Sequence, residues 1–424
     1  MSEVRSDRLT ISIDAAQVPF IAKIPHVKSI AEGGNMHYLC NEDATWITQT
    51  GTYGERAVTS HGIIGSGELL TVMDSELYAS HEMFADPQGD PIGNNHRKIQ
   101  SMQAYGGGSL SGGNYHGTHV TGTVLGDAPD GSTYATYNKY DGHAIGARVI
   151  FQDIDDTDDF WGAVYPPSDL QPPMQDSYNA GSRMQTNSWG GGSGYTDDAL
   201  EIDTFTWNHK DYNVLFAMGN SGSSANTISE QPEAKNAISV GAVRNYNSHH
   251  DVASFSSRGY ADDGRIKPTV MGVGDPVTSS RNSGATAYYD MSGTSMATPG
   301  IAGQVGQIRQ YFNQGWYPTG DPNAPDGFNP SAALVKAVLV NGAEEISGSG
   351  AYANDARYPN GDQGWGRSNL DNALYFDGDA RKLQIYDSWN QGLSLSTGNT
   401  YEMTFEVSDT GEPVEVTLVW TDYV

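Results

Sequence analysis

The sequence predicts an α/β protein: a parallel sheet with helices on both faces, in three α/β/α layers, followed by a β-hairpin near the C-terminus. Three observations lead there. Short, wholly apolar runs recur through the middle of the chain, as strands buried on both faces require. Helical patterns follow several of these runs, and strand–helix alternation places a sheet between two helical layers. Beyond residue 383 the hydrophobic period switches to two, the mark of strands with one buried face.

Taken in order, residues 1–40 read as a short helix and a strand. Asp14 caps a helix through Ala15, Ala16, Val18 and Ile21, Pro25 stops it, and Val27, Ser29 and Ile30 are extended. Residues 41–380 carry the α/β pattern. Runs 69–73 (LLTVM), 148–152 (RVIFQ), 214–218 (VLFAM) and 237–243 (AISVGAV) are the buried strands. Helices begin near His116, Asp197, Ser295 and Ser331, the last stopped by Gly342. Ligands of such folds sit at the carboxyl ends of the strands. In residues 381–424, Tyr401, Met403, Phe405 and Val407 share one face, and Val414, Val416, Leu418 and Trp420 another. Thr410-Gly411 lies near the turn between them. A lone hairpin is marginal, so this stretch reads as the start of a truncated β-domain, a sandwich or barrel.

Composition narrows the function classes. The 424 residues hold 51 acidic against 23 basic side chains, a net charge of −28, with 37% hydrophobic residues. Such a surface repels phosphate backbones and anionic membranes, which argues against nucleic acid and membrane partners. No apolar run reaches the roughly 18 residues of a membrane span. Cys40 is the single cysteine, so no intrachain disulfide forms and stability has to come from other sources, packing first among them. The N-terminus has no basic-then-apolar leader pattern.

Four segments carry chemistry. Leu70-Thr71-Val72-Met73-Asp74-Ser75-Glu76 ends a buried strand on a carboxylate. His116-Gly117-Thr118-His119-Val120-Thr121-Gly122 opens a helix with two histidines three apart. Phe216-Ala217-Met218-Gly219-Asn220-Ser221-Gly222 runs a strand into an asparagine between glycines. Gly293-Thr294-Ser295-Met296-Ala297-Thr298-Pro299 places a serine at the mouth of a helix. Singly, these are a strand-end turn, a structural histidine, a turn and an N-cap.

Together the four segments resemble the signature blocks of the subtilisin-like serine proteases (subtilases), in that family's order Asp, His, Ser. The resemblance covers residues 41–380. It is closest to the large alkaline members with a C-terminal β-domain, and it extends to Thr186-Asn187-Ser188-Trp189-Gly190, Phe255-Ser256-Ser257-Arg258-Gly259, Gln363-Gly364-Trp365-Gly366-Arg367 and Leu418-Val419-Trp420-Thr421-Asp422. It implies peptide hydrolysis through an acyl-serine. Ser295 is then the nucleophile, His116 its base and Asp74 the group that orients His116. Asn220 and the Ser295 N–H form the oxyanion hole. Ser188, Trp189 and Gly190 form the edge that pairs with polypeptide substrates. His119 is structural.

The same resemblance makes residues 1–40 the remnant of a propeptide, an intramolecular inhibitor cut off near Cys40-Asn41. It also implies export to the cell surface or medium, and structural Ca2+ without assigned ligands. No cofactor enters catalysis. The acidic run Asp153, Asp155, Asp156, Asp158 and Asp159 offers oxygens of the kind calcium needs, or is a solvated loop. Residues 227–233 fall near the primary specificity pocket, where Glu230 and Glu233 either favour basic side chains or face solvent. The chain departs from the family pattern at Glu76, where a glycine is usual, at Met218 and Thr121, where alanine is usual, and at Gly272-Val273-Gly274, in place of a Pro-containing turn. Two rivals remain. A lipase or esterase needs Gly-x-Ser-x-Gly, which is missing. A catalytically dead binding module is expected to lose a triad residue or Asn220, and none is lost.

Overall fold

The structure, a computed structural model, describes residues 4–5, 8–9, 20, 23–24, 41–110, 115–131, 133–134, 137–155, 164–392, 396–407, 411 and 413–424. The chain divides into two compact units, Met1–Tyr38 and Leu39–Val424. In the first, Val4–Arg5 pairs antiparallel with Arg8–Leu9. The helix expected from Asp14, the extended stretch at 27–30 and Cys40 lie outside the described residues.

The second unit is built on seven parallel strands. In chain order they are β1 (Leu69–Asp74), β2 (Ile99–Ala104), β3 (Arg148–Asp153), β4 (Met184–Asn187), β5 (Asn213–Ala217), β6 (Ile238–Arg244) and β7 (Val270–Asp275). Their spatial order is β2-β3-β1-β4-β5-β6-β7. A hairpin follows, β8 (Val277–Ser280) against β9 (Tyr288–Met291). The longer helices among the described residues are α1 (Asn41–Gln49), α2 (His116–Leu125), α3 (Gln171–Asn179), α4 (Asp197–Asn208), α5 (Thr294–Asn313) and α6 (Ala332–Asn341).

Alternation along β5 shows the three layers. Leu215 joins the core shared with α1, α2, α5 and α6, whereas Val214 and Phe216 join the core under α3 and α4. All four apolar runs of the sequence are strands, and the helix starts expected at His116, Asp197, Ser295 and Ser331 are each met within a residue. At α6, Ser331 accepts from the Leu334 N–H at 3.0 Å, the N-cap bond that a serine there supplies.

Three further strands lack the apolar signature. Strand β4, Met-Gln-Thr-Asn, is fully buried yet polar. Its amides work inside the sheet: Asn187 Nδ2 donates to the Leu215 carbonyl at 3.0 Å. Gly272-Val273-Gly274 lies in β7 and is no turn. A Cβ at Gly272 would stand 2.8 Å from the Ala297 carbonyl, and one at Gly274 2.5 Å from the Gly293 carbonyl, so these glycines let α5 lie close on the sheet. Strand β2 is a half-buried edge.

The segments 401–407 and 413–424, expected as a hairpin, carry no strand among their described residues. Tyr401, Met403, Phe405, Val416, Leu418 and Trp420 are exposed. A two-stranded hairpin by itself is marginal in water. The end of the chain is nevertheless fastened to the α/β body. Asn236 and Asp422 exchange two hydrogen bonds, of 2.7 and 3.1 Å, and Asn341 donates to Thr417 at 3.0 Å.

Candidate active site

The carboxyl ends of β1, β4 and β5 and the starts of α2 and α5 bring the sequence-predicted residues to the carboxyl end of the sheet. Asp74 is the last residue of β1 and is wholly buried. Its Oδ1 lies 2.7 Å from His116 Nδ1, at the first residue of α2. The same oxygen accepts from the Ser75 backbone N–H at 2.8 Å and from the Ser75 hydroxyl at 3.3 Å. Ser75 Oγ in turn accepts from the Gly117 N–H at 3.0 Å, so one hydroxyl ties the strand end to the helix start. Gly117 is obligatory for that approach, since a Cβ there would stand 1.7 Å from the Ser75 carbonyl oxygen.

Burial works against a charge on His116, but the adjacent Asp74 carboxylate outweighs it and holds the His116 pKa above the ordinary imidazole value. His119, three residues on, is the opposite case. Burial pushes it down to about 3, and its Nε2 reaches the Val277 and Tyr289 carbonyls of β8 and β9 at 3.1 and 3.0 Å. It braces the hairpin, as the structural reading expects.

At the mouth of α5, Asn220 follows β5 through Gly219, whose φ of +103° admits no ordinary side chain. Asn220 Oδ1 accepts from both the N–H and the hydroxyl of Thr294, at 2.9 and 3.0 Å. That pins the carboxamide and turns its N–H2 the other way. A Cβ placed on Gly293 would lie 3.5 Å from Asn220 Nδ2 and 3.5 Å from the Ser295 backbone N. The two nitrogens therefore lie close to one point. Thr294, to which the sequence reading gave no role, is the residue that fixes the Asn220 carboxamide; its place beside Ser295 was the available signal.

Ser295 is half-buried. Its hydroxyl donates to the Ser188 carbonyl at 2.8 Å, not to His116, and the Ser188 hydroxyl donates to the Ser295 carbonyl at 3.0 Å. Trp189 donates from Nε1 to the Met73 carbonyl at 3.1 Å and stands edge-on to Phe216. Its side chain thus anchors the Ser188-Trp189-Gly190 segment, while Gly190 is exposed.

Sequence similarity bears directly on this arrangement. A family model described as the subtilase family matches residues 65–366. The chain belongs to the subtilase family of serine-type endopeptidases. This subtilase is 28% identical, over 84% of its length, to the serine protease/ABC transporter B family protein tagD of Dictyostelium discoideum. It spans about a quarter of that relative, 26%. It is also 28% identical to subtilisin-like protease 1 of Pseudogymnoascus destructans, over 69% of this chain and 66% of that one. Among solved structures it shares the fold of sphericase, with a TM-score of 0.53 at 23% identity over 72% of this chain and 92% of that one. Fervidolysin from Fervidobacterium pennivorans gives a TM-score of 0.52 at 22% identity, over 76% of this chain and 44% of that one.

One departure of the subtilase from its family pattern, and one residue expected near the specificity pocket, take on a physical meaning. Glu76 is not among the described non-glycine residues with positive φ, so the usual glycine is replaced without backbone strain. Its side chain accepts from Asn282 at 3.4 Å. Glu233 is fully buried and accepts from the Asp262 N–H at 3.1 Å, which removes it from the group of side chains open to a substrate. Of the acidic run, Asp153 accepts from the Leu110 and Asp155 N–H groups, both at 2.9 Å. Asp156, Asp158 and Asp159 lie outside the described residues.

Proposed function

We propose that this chain hydrolyses internal peptide bonds through an acyl-enzyme on Ser295. His116 is the base, Asp74 its orienting carboxylate, and Asn220 with the Ser295 N–H the oxyanion hole. One observation supports this reading above all others. The buried Asp74–His116 link of 2.7 Å stands at the carboxyl end of the sheet, the end at which Asn220 Nδ2 and the Ser295 N also lie, close to one point.

Reaction begins when the Ser295 hydroxyl leaves the Ser188 carbonyl and turns to His116, a change between staggered rotamers. His116 takes the proton as Ser295 Oγ attacks the peptide carbonyl carbon. Negative charge gathers on the carbonyl oxygen in the space between the two N–H donors, and Asp74 offsets the imidazolium charge. His116 then protonates the leaving amine, and water repeats the sequence on the acyl-serine. The substrate backbone lies along Ser188-Trp189-Gly190 as an added strand.

The wider reading has residues 1–40 as an inhibitory propeptide cut near Asn41, residues 41–380 as the catalytic domain and residues 381–424 as the start of a β-domain. The enzyme works outside the cell or at its surface and is stabilised by calcium. Asn41 lends support as a mature terminus: it starts α1 and is bound by the Tyr140 carbonyl, Ser279 and Thr123 at 2.8, 3.2 and 3.1 Å. Among the described residues no three acidic, histidine or cysteine side chains converge as metal ligands, so no calcium ligand is assigned. No step of the chemistry runs through the ion.

A fluorophosphonate probe on the parent and on Ser295→Ala tests the nucleophile. Labelling of the parent alone, with peptide hydrolysis lost in the variant, is expected; equal labelling of both refutes it.

A further inference from the structure

Pro299 lies within α5, four residues after Ser295. Proline has no N–H, so the helix cannot donate to the Ser295 carbonyl in the usual i to i−4 pattern. The donor comes instead from a different element. Ser188, the first residue beyond β4 and 3% exposed, places its hydroxyl 3.0 Å from that carbonyl. The Ser188 carbonyl meanwhile accepts from the Ser295 hydroxyl at 2.8 Å. Two serines 107 positions apart thus share a reciprocal pair of hydrogen bonds.

The two bonds differ in what the reaction demands of them. Turning the Ser295 hydroxyl to His116 breaks the bond to the Ser188 carbonyl. It leaves the bond from the Ser188 hydroxyl to the Ser295 carbonyl in place. That second bond restrains the backbone at Ser295, and with it the Cα–Cβ direction of the nucleophile and the N–H beside Asn220.

We propose that the Ser188 hydroxyl is a positioning residue that replaces the helix hydrogen bond removed by Pro299 and holds Ser295 in its reacting orientation. The inference rests on Ser295 being the nucleophile. It assigns the Ser188 side chain a task separate from substrate binding, which on the reading above uses the backbone of residues 188–190.

Ser188→Ala, Pro299→Ala and the double variant test it, each checked by thermal melting. Ser188→Ala is expected to lower kcat about tenfold, the worth of one buried hydrogen bond, with KM changed by less than about twofold. Pro299→Ala alone stays near the parent. In the double variant the new N–H at 299 donates to the Ser295 carbonyl and kcat recovers. A hydroxyl with a merely structural or substrate-binding role predicts no such recovery. An unchanged kcat in Ser188→Ala, or an unrecovered loss in a double variant that melts like the parent, overturns the proposal. Should Ser188→Ala not fold, the double variant decides: regained folding and kcat support the proposal, and failure to fold sinks it. Fluorophosphonate labelling of the parent is read first, so a wrong nucleophile is told apart from a wrong role for Ser188.

Discussion

Replacing Asp74 by asparagine removes a charge and leaves a shape. Oδ1 of Asp74 accepts from His116 Nδ1 and also from two donors on Ser75. An amide oxygen satisfies all three, so the substituted side chain keeps its oxygen toward His116 and preserves the tautomer with a proton on Nδ1. What disappears is the attraction between a buried carboxylate and the imidazolium formed in the transition state. For charge centres ~4 Å apart at an effective dielectric of ~20 this is about 4 kcal/mol. That corresponds to about three decades in kcat/KM.

The pH profile provides a second reading. His116 acts as a base only when neutral, and Asp74 raises its pKa, so activity in the parent falls as pH drops through that raised value. In Asp74→Asn the acid limb moves to lower pH. Stability follows the same linkage. The raised pKa of the folded state stabilises the fold below the ordinary imidazole pKa of ~6.5, and that gain is lost as pH rises through the folded value. The variant therefore loses stability on the acid side. The assay is kcat/KM on a chromogenic peptide across pH, with thermal melts beside it. A loss under tenfold with an unmoved acid limb refutes the reasoning. A loss well beyond three decades shows that the amide has flipped and imposed the wrong tautomer.

Other predictions follow from single contacts. Asn220→Ala removes one of the two donors at the proposed oxyanion site and is expected to lower kcat by about 10²–10³ with little change in KM, measured by steady-state kinetics. Ser331→Ala deletes the cap on α6 and costs about 1 kcal/mol, a fall in Tm of ~1 °C for a unit of this size, with activity unchanged. Chelator is expected to lower Tm if calcium is bound, and identical melts with and without it remove calcium from the account. N-terminal sequencing of the purified active enzyme should begin near Asn41; active protein still starting at Met1 argues against autoprocessing.

The main α/β elements of the fold were legible because their signals are local. Apolar runs 69–73 and 214–218 have to be buried on both faces, and a strand followed by an amphipathic helix has one economical arrangement. The candidate reacting groups could be named because Asp74, His116, Asn220 and Ser295 each sit in a short motif whose residue types suit the proposed chemistry. Strand β4 was not legible. Its buried Gln185, Thr186 and Asn187 look like a surface loop until Leu215 on the neighbouring strand accepts from Asn187. Glu233 was equally ambiguous, because only the fold buries it beside Asp262.

By itself, then, the sequence determined the apolar strands of the sheet and the helices that follow them, and it pointed to the side chains proposed for the chemistry, since both are written in runs of a few residues. Only the tertiary structure decided that Thr294 holds Asn220, that Ser75 joins β1 to α2, and that Ser188 supplies the donor Pro299 lacks. Each of those is a hydrogen bond between residues far apart along the chain. A hydroxyl's partner is set by direction over about 3 Å, and nothing in the order of residues fixes that distance until the chain has folded.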